Sequence, residues 1–534
     1  SFFASGSVAL YIFLYSINYL GSPTSEGIVV VGGLSPVAVT DEDFVCATLD
    51  WWPPEKCDYG TCAWDHASIL NLDLKNPLLV NAVKAFSPLK IRLGGTLQDK
   101  VMYQTEDKSR PCTPFFSKNP SLLFGFSQGC LPLTRWDQLH SFFRQSGALV
   151  IFGLNALHGK SIHNDNTATG PWDPSNAASL IKYTVNNGYN VYGWELGNEL
   201  SGTGIGVRIS SDSYASDTIA LHDLIHTIYE GVDLKPLIIA PGGFFDPTWY
   251  SQFLSKTTGS LSAITHHIYN LGPGSDAHLM DRILNPDVLD GGAGVFRNLR
   301  DLVRGSGSSV TAWVGESGGA YNSGRNGVTN AFVFSFWYLD QLGLASYYDH
   351  KVYCRQTLIG GNYGLLNTTT FAPNPDFYSA LLWHRLMGPR VLSATFNVTN
   401  KVRAYAHCAK RSLGISLLLV NIDGNNSYDL RVEHDLTTPR RNSRKHIRLH
   451  RAPKWSHVKQ QQLGEVPREE YHLTPLDGNI QSRVVLLNGK ELIVDSSNQI
   501  PVLEPVQVNS SDPIKVDPYS IVFVHFPSMD LPAC

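Results

Sequence analysis

Beyond its first twenty residues the chain has no apolar run long enough to cross a bilayer. Charge is sparse: 16% of residues are Asp, Glu, Lys or Arg, and the formal net charge is −4. That leaves no basic surplus for a polyanion, so nucleic acid is excluded as a partner. Metal-ligand patterns are missing too. There is no C-x2-C pair and no H-E-x-x-H, so no metal site and no cofactor is expected. No G-x-G-x-x-G follows the first predicted strand, which argues against an open, doubly wound nucleotide-binding sheet. Cysteine is thin for this length. Eight residues (46, 57, 62, 112, 130, 354, 408 and 534) are too few for a disulfide scaffold, but an even count suits an oxidising compartment. The close pairs Cys57/Cys62 and Cys112/Cys130 are expected as local bridges.

What is present is a globular composition, 43% hydrophobic over 534 residues, enough for two or three domains. The apolar segment 8–20, VALYIFLYSINYL, is too short to span a membrane but suits the core of a signal peptide. No initiator Met or basic segment precedes it, so residues 1–25 are expected to be a partial signal. Asn367, Asn397, Asn425 and Asn509 each begin an N-x-S/T sequon free of proline, which marks them as glycosylation candidates.

Between residues 40 and 388, strand-like runs alternate with helical ones. Strands are predicted at 44–50, 89–93, 149–154, 192–196, 237–240, 263–269, 310–315 and 351–356. Helices are predicted at 71–86, 135–145, 176–186, 213–229, 247–254 and 329–342. Eight β/α units imply a parallel (β/α)8 TIM barrel with insertions, an α/β fold. Residues 375–388, PDFYSALLWHRLMG, read as a last helix capped by Gly388. From 389 to 534 the texture is all-β, with strands expected at 391–398, 403–407, 414–421, 482–487, 492–494 and 520–525. This predicts a C-terminal β-sandwich. Residues 26–39, β-like in IVVVGGLSPVAV, are expected to add a strand to it. One segment, 439–454, carries seven Lys/Arg and two His in sixteen residues. It reads either as a solvated loop or as a contact for a polyanion or cell wall.

Chemistry concentrates at two strand ends. In GWELGNEL (193–200), the fourth predicted strand runs into Gly197, then Asn198 and Glu199. In TAWVGESGG (311–319), the seventh is expected to end at Gly315, with Glu316 next. Residues past the C-terminal ends of barrel strands converge on one face. Two opposed carboxylates there are what glycoside hydrolysis requires: one protonates the leaving oxygen and the other attacks C1 or activates water. Asn198 beside the acid is placed to bond a sugar 2-hydroxyl. Asp50 and Asp99 are the other strand-end carboxylates. GESGG also matches a G-x-S-x-G elbow, which would make Ser317 the nucleophile of a serine hydrolase. The glycine-rich GGAYNSGRNG after it opposes the helix that such an elbow needs. A non-catalytic, polyanion-binding barrel is the remaining alternative. His266 and His267 are adjacent on a strand and must face opposite sides, so one can reach the cleft and the other belongs to the core.

The stretches IRLGGTLQD (91–99), IFGLNAL (151–157), WELGNEL (194–200), THHIYNLG (265–272), WVGESGGAYNSG (313–324) and CRQTLIGGNYGLL (354–366) resemble the plant heparanase-like proteins of glycoside hydrolase family 79. The resemblance implies a (β/α)8 barrel plus β-sandwich, a retaining mechanism and a β-linked glucuronic acid substrate, in a glycoconjugate or a polysaccharide. It casts Glu199 as acid/base, Glu316 as nucleophile and Tyr363 as a contact to the glucuronate carboxylate. It also implies that backbone N–H groups of a Gly-Gly turn bind this carboxylate. Here that turn reads Asn322–Ser323, a departure that puts the turn's shape in question. Asp50, Thr96, Asn155, Tyr321, Gln356 and His267 are expected to line the same cleft, and Cys408 and Cys534 to form a family disulfide. Arg92 is a structural or supporting charge. The expected location is outside the cell, or a vacuole- or lysosome-like compartment.

Overall fold

A computed structural model describes residues 24–105, 111–119, 125–202, 205–437 and 466–534. The expected signal core at 8–20 and the basic segment 439–454 lie outside the described residues. So do most of the expected signal's 25 residues.

Eight parallel strands close into a barrel: β1 (Val45–Leu49), β2 (Lys90–Leu93), β3 (Leu149–Leu154), β4 (Gly193–Leu196), β5 (Leu237–Gly243), β6 (Ala263–Ile268), β7 (Thr311–Ser317) and β8 (His350–Arg355). Each pairs with its sequence neighbours, and β8 closes on β1. Their near-continuous burial explains why they lack a polar face, although buried polar residues such as Arg92, Glu195 and His266 interrupt them. Side chains fill the inside, and helices cover the outside. All eight predicted strands are present.

The helices differ in places. The predicted helix at 329–342 forms five residues later, as Phe334–Tyr347, after a loop tied by turn bonds at 328–333. Helix Ala293–Ser306 went unpredicted, although Phe296 and Leu299 in it are buried at helical spacing. Gly388 is not a cap. The helix Pro375–Leu386 passes directly into strand Met387–Leu392 through Met387, which has extended backbone. A Cβ at residue 388 would lie 2.4 Å from the Cys408 carbonyl, so this glycine serves a close strand approach instead.

The C-terminal strands form two sheets. The larger includes Met387–Leu392, Val402–Ala409, Ile415–Asn421, Arg468–Pro475 and Ser520–Phe526. The smaller contains Ala394–Phe396, Thr24–Gly32, Ser427–Asp435 and Ile514–Val516. Thr24–Gly32 therefore joins the smaller sheet, parallel to Ser427–Asp435. Strand Ile415–Asn421 is buried on both faces: Ile415, Leu417 and Leu419 meet the smaller sheet, while Leu418 and Val420 join the core that includes the barrel. Residues 492–494 are not a strand; the turn before them pairs through Lys490–Glu491. Ser427–Asp435 and Arg468–Pro475 are strands not expected from sequence.

Four disulfides form: Cys57–Cys62, Cys112–Cys130, Cys408–Cys534, and Cys46–Cys354, which staples β1 to β8. No helix among the described residues is long and apolar enough to cross a membrane. Asn397, Asn425 and Asn509 are exposed and Asn367 is half-buried.

Candidate active site

The backbone after β4 is built to present one carboxylate. Gly197 takes φ +74°, and a Cβ there would sit 2.2 Å from the Tyr214 hydroxyl, so only glycine fits. Glu199 itself has φ +55°, a conformation that non-glycine residues adopt rarely and most often at functional positions. Two backbone donors hold it there. Glu199 N–H donates to the Gly242 carbonyl at 2.7 Å, and Asn198 N–H donates to Asp99 Oδ2 at 2.9 Å. Asp99 Oδ1 accepts from Ala156 N–H at 2.8 Å, so this buried carboxyl ties the turns after β3 and β4 together.

Glu316 does not follow its strand. It lies within β7, which continues to Ser317, and its backbone pairs in register with His267. Its two oxygens are held separately. Tyr269 Oη donates to Oε1 at 2.6 Å, and Arg92 Nη1 donates to Oε2 at 2.8 Å. Arg92 lies fully buried and spends its whole fork here. Nε donates to Glu195 Oε2 at 2.5 Å and Nη2 to Asn198 Oδ1 at 2.8 Å. The charge left undecided from sequence thus contacts Glu316 directly.

Opposite stands Glu199, with Oε1 2.8 Å from His267 Nδ1. Ligand-type atoms of Glu199, His267 and Glu316 lie within 4.8 Å of one another. Such a trio has the composition of a metal site, but the Arg92 guanidinium bound to Glu316 repels a second cation. His266 points the other way, with Nε2 3.0 Å from His350 Nε2 in the packed core.

Burial sets the protonation pattern. It pushes the Glu199 carboxyl up to about 7, against the opposing pull of Arg92. Asp50 rises to about 7 through burial and then the nearby Glu316 charge, and Asp99 to about 7 through burial. Burial lowers His267 to about 4, so its imidazole is neutral at ordinary pH.

A cavity of about 280 Å³ opens over the carboxyl pair. It brings together Asp50, Thr96, Glu199, Glu316, Tyr321, Asn322, Ser323, Gln356 and Tyr363. Three expected residues do not line it. Asn155 spends its side chain on the Val101 carbonyl and Leu157 N–H, and so fixes the β3 turn. Asn198 and His267 lie behind the wall, against Arg92 and Glu199. Trp52, Lys56, Asp58, Ile205, Phe244 and Tyr269 also line the cavity and are not expected from sequence. The pairing of Cys57 with Cys62 was the one signal near Lys56 and Asp58. The Asn322–Ser323 turn keeps left-handed backbone at both positions, φ +58° and +71°. Its side chains are employed in turn: Asn322 Nδ2 donates to Tyr59 Oη at 3.1 Å, and Trp64 Nε1 donates to Ser323 Oγ at 2.8 Å.

Residues 26–343 match the family model described as glycosyl hydrolase family 79, N-terminal domain. Heparanase-like protein 3 of Arabidopsis thaliana is 54% identical over 99% of both chains. The chain belongs to glycosyl hydrolase family 79. As a family 79 member it is a glycoside hydrolase, and its substrates are carbohydrates or their conjugates. The baicalin-beta-D-glucuronidase of Scutellaria baicalensis is 46% identical over 92% of this family 79 chain and 91% of its own. A solved 4-O-alpha-L-rhamnosyl-beta-D-glucuronidase from Fusarium oxysporum superimposes with a TM-score of 0.61 at 14% identity, covering 93% of this chain and 100% of its own, a likeness of fold. The serine-hydrolase alternative finds no support in this family. Ser317 is fully buried inside β7, its hydroxyl 2.6 Å from Tyr353 Oη, with no elbow around it.

Proposed function

We propose that this family 79 chain cleaves β-linked glucuronic acid by retaining double displacement, with Glu199 as acid/base and Glu316 as nucleophile. The observation that carries the reading is the spacing: carboxylate oxygens of Glu199 and Glu316 lie within 4.8 Å. Retaining enzymes hold their carboxyl groups about 5–5.5 Å apart, whereas inverting ones leave about 6.5–9.5 Å for water. The environments differ as the roles require. Glu199, held up by burial, keeps a proton for the departing oxygen. Glu316 is oriented by two donors, Arg92 and Tyr269, so that it meets C1 in a fixed pose. In the first step Glu316 bonds C1 while Glu199 protonates the leaving oxygen. In the second, Glu199 takes a proton from water, which attacks C1 and frees Glu316.

The glucuronide assignment is supported by the names of relatives and by the Tyr363 hydroxyl beside Gln356 in the cavity wall. Four disulfides support folding in an oxidising compartment, outside the cell or in a vacuole- or lysosome-like one. The test is an aryl β-D-glucuronide followed by NMR. The β-anomer should appear first; the α-anomer first would overturn retention, and cleavage of other glycosides with none of the glucuronide would overturn the substrate.

A further inference from the structure

We propose that Lys56, carried on the loop closed by Cys57–Cys62 and braced by Asp58, supplies the positive charge that reads an anionic group on the substrate. The inference rests on the glucuronidase reading and names a determinant of its specificity. Its basis is the charge around the cavity. Four carboxyl groups line it: Asp50 and Glu199, which burial raises to about 7, Glu316, which Arg92 pairs from behind, and Asp58; among the described lining residues Lys56 is the one cation. An anionic sugar entering such walls is repelled unless a cation meets it.

Lys56 is fixed rather than trailing in solvent. Its side chain is 3% exposed, its Nζ lies 2.5 Å from Asp58 Oδ1, and it stands 4.8 Å from the Trp52 ring centroid. Asp58 faces a second way: its other oxygen accepts from the Ser323 hydroxyl. Ser323 belongs to the left-handed Asn322–Ser323 turn, and Tyr59, one residue beyond Asp58, accepts from Asn322. The disulfide-closed loop therefore clasps that turn and holds Lys56 in register with it. Lys56 on the loop and Asn322 and Ser323 on the turn all line the one cavity. A charge-assisted hydrogen bond to a carboxylate is among the stronger recognition contacts, and a neutral sugar ester cannot make it.

The experiment compares p-nitrophenyl β-D-glucuronide with its uncharged methyl ester in the full chain. In Lys56→Met/Asp58→Asn, which removes both charges and leaves no carboxylate unpaired, kcat/KM on the glucuronide should fall on the order of 30-fold, chiefly through KM. The loss on the methyl ester should be several-fold smaller. Lys56→Arg should recover most of the glucuronide activity. If the double variant does not fold, Lys56→Gln/Asp58→Asn carries the same comparison. Equal losses on both substrates, or no rescue by arginine, would overturn the inference while leaving the glucuronidase reading intact. Absence of glucuronide cleavage by the unmodified enzyme would overturn that reading, and this inference with it.

Discussion

Arg92 Nη1 donates to Glu316 Oε2 at 2.8 Å from beneath the barrel's catalytic face, while the same guanidinium bonds Glu195 at 2.5 Å and Asn198 at 2.8 Å. One side chain from β2 thus links the end of β4 to the carboxylate on β7. It pairs with buried acid and ties Glu316 to Asn198, the neighbour of Glu199.

Arg92→Met should therefore lose both stability and turnover. Removing one partner from a buried ion pair costs about 3–5 kcal/mol, because the remaining charge is left unpaired. Arg92→Lys should not restore activity, since one ammonium cannot reproduce a planar three-way fork. Thermal melting and kcat on an aryl glycoside check this. A variant with wild-type Tm and near-normal kcat would show that the guanidinium does not hold Glu316.

Glu199→Gln should separate the two chemical steps. A phenolate leaves without a proton, so an aryl substrate should still give a burst of product. The second step lacks its base, and the glycosyl-enzyme on Glu316 should accumulate. Azide needs no base and should restore turnover, giving a β-glycosyl azide. Mass spectrometry of the trapped protein and the burst amplitude are the readouts. No burst and no azide rescue would remove Glu199 from the acid/base role.

Glu199 also makes the pH dependence predictable. Its carboxyl is raised from 4.5 to about 7 by burial, so the acid form persists up to near neutrality. Turnover of poor leaving groups should fall as pH rises through about 7. The linkage has a definite sign. Between about 4.5 and 7 the folded state binds more protons at this site than the unfolded state, so the site's contribution to stability declines as pH rises. Glu199→Gln carries no such charge. Its Tm should match wild type near pH 4.5 and exceed it increasingly up to about pH 7, with a constant gap above that. A gap that does not change with pH would contradict the raised pKa.

Tyr363→Phe should weaken glucuronides more than matching glucosides. Tyr363 is 3% exposed, lines the cavity and stays neutral because burial pushes its hydroxyl up. Losing one hydrogen bond to a charged group costs about 1.5–3 kcal/mol. Steady-state kcat/KM on the two sugars gives the comparison. Losses of the same size would mean that Tyr363 only packs, as its edge contact with Trp64 at 6.1 Å allows.

The sequence by itself determined the barrel and the carboxyl pair. Eight short β-rich runs buried on both faces alternate with helical stretches, and that alternation admits few folds. Asn198–Glu199 and Glu316 were legible because each sits beside glycines at a strand's C-terminal end, where a barrel gathers its chemistry. What it left open depends on contacts between residues far apart in the chain. Ser427–Asp435 is polar on its open side and becomes a strand by pairing with Thr24–Gly32, some four hundred residues earlier. Cys46 meets Cys354 only because the barrel closes β8 on β1. Arg92 shares its short strand with Lys90, and nothing local tells their roles apart; the role of Arg92 appears only when β2, β4 and β7 bring three partners to one guanidinium. Lys56 and Asp58 carry no local signal beyond the neighbouring Cys57/Cys62 pair; tertiary structure sets that loop at the cavity against Ser323. Local periodicity encodes which face of an element is buried. The partners of a buried charge are fixed only by closure of the whole fold, because desolvation must be compensated by whichever groups the topology brings within reach.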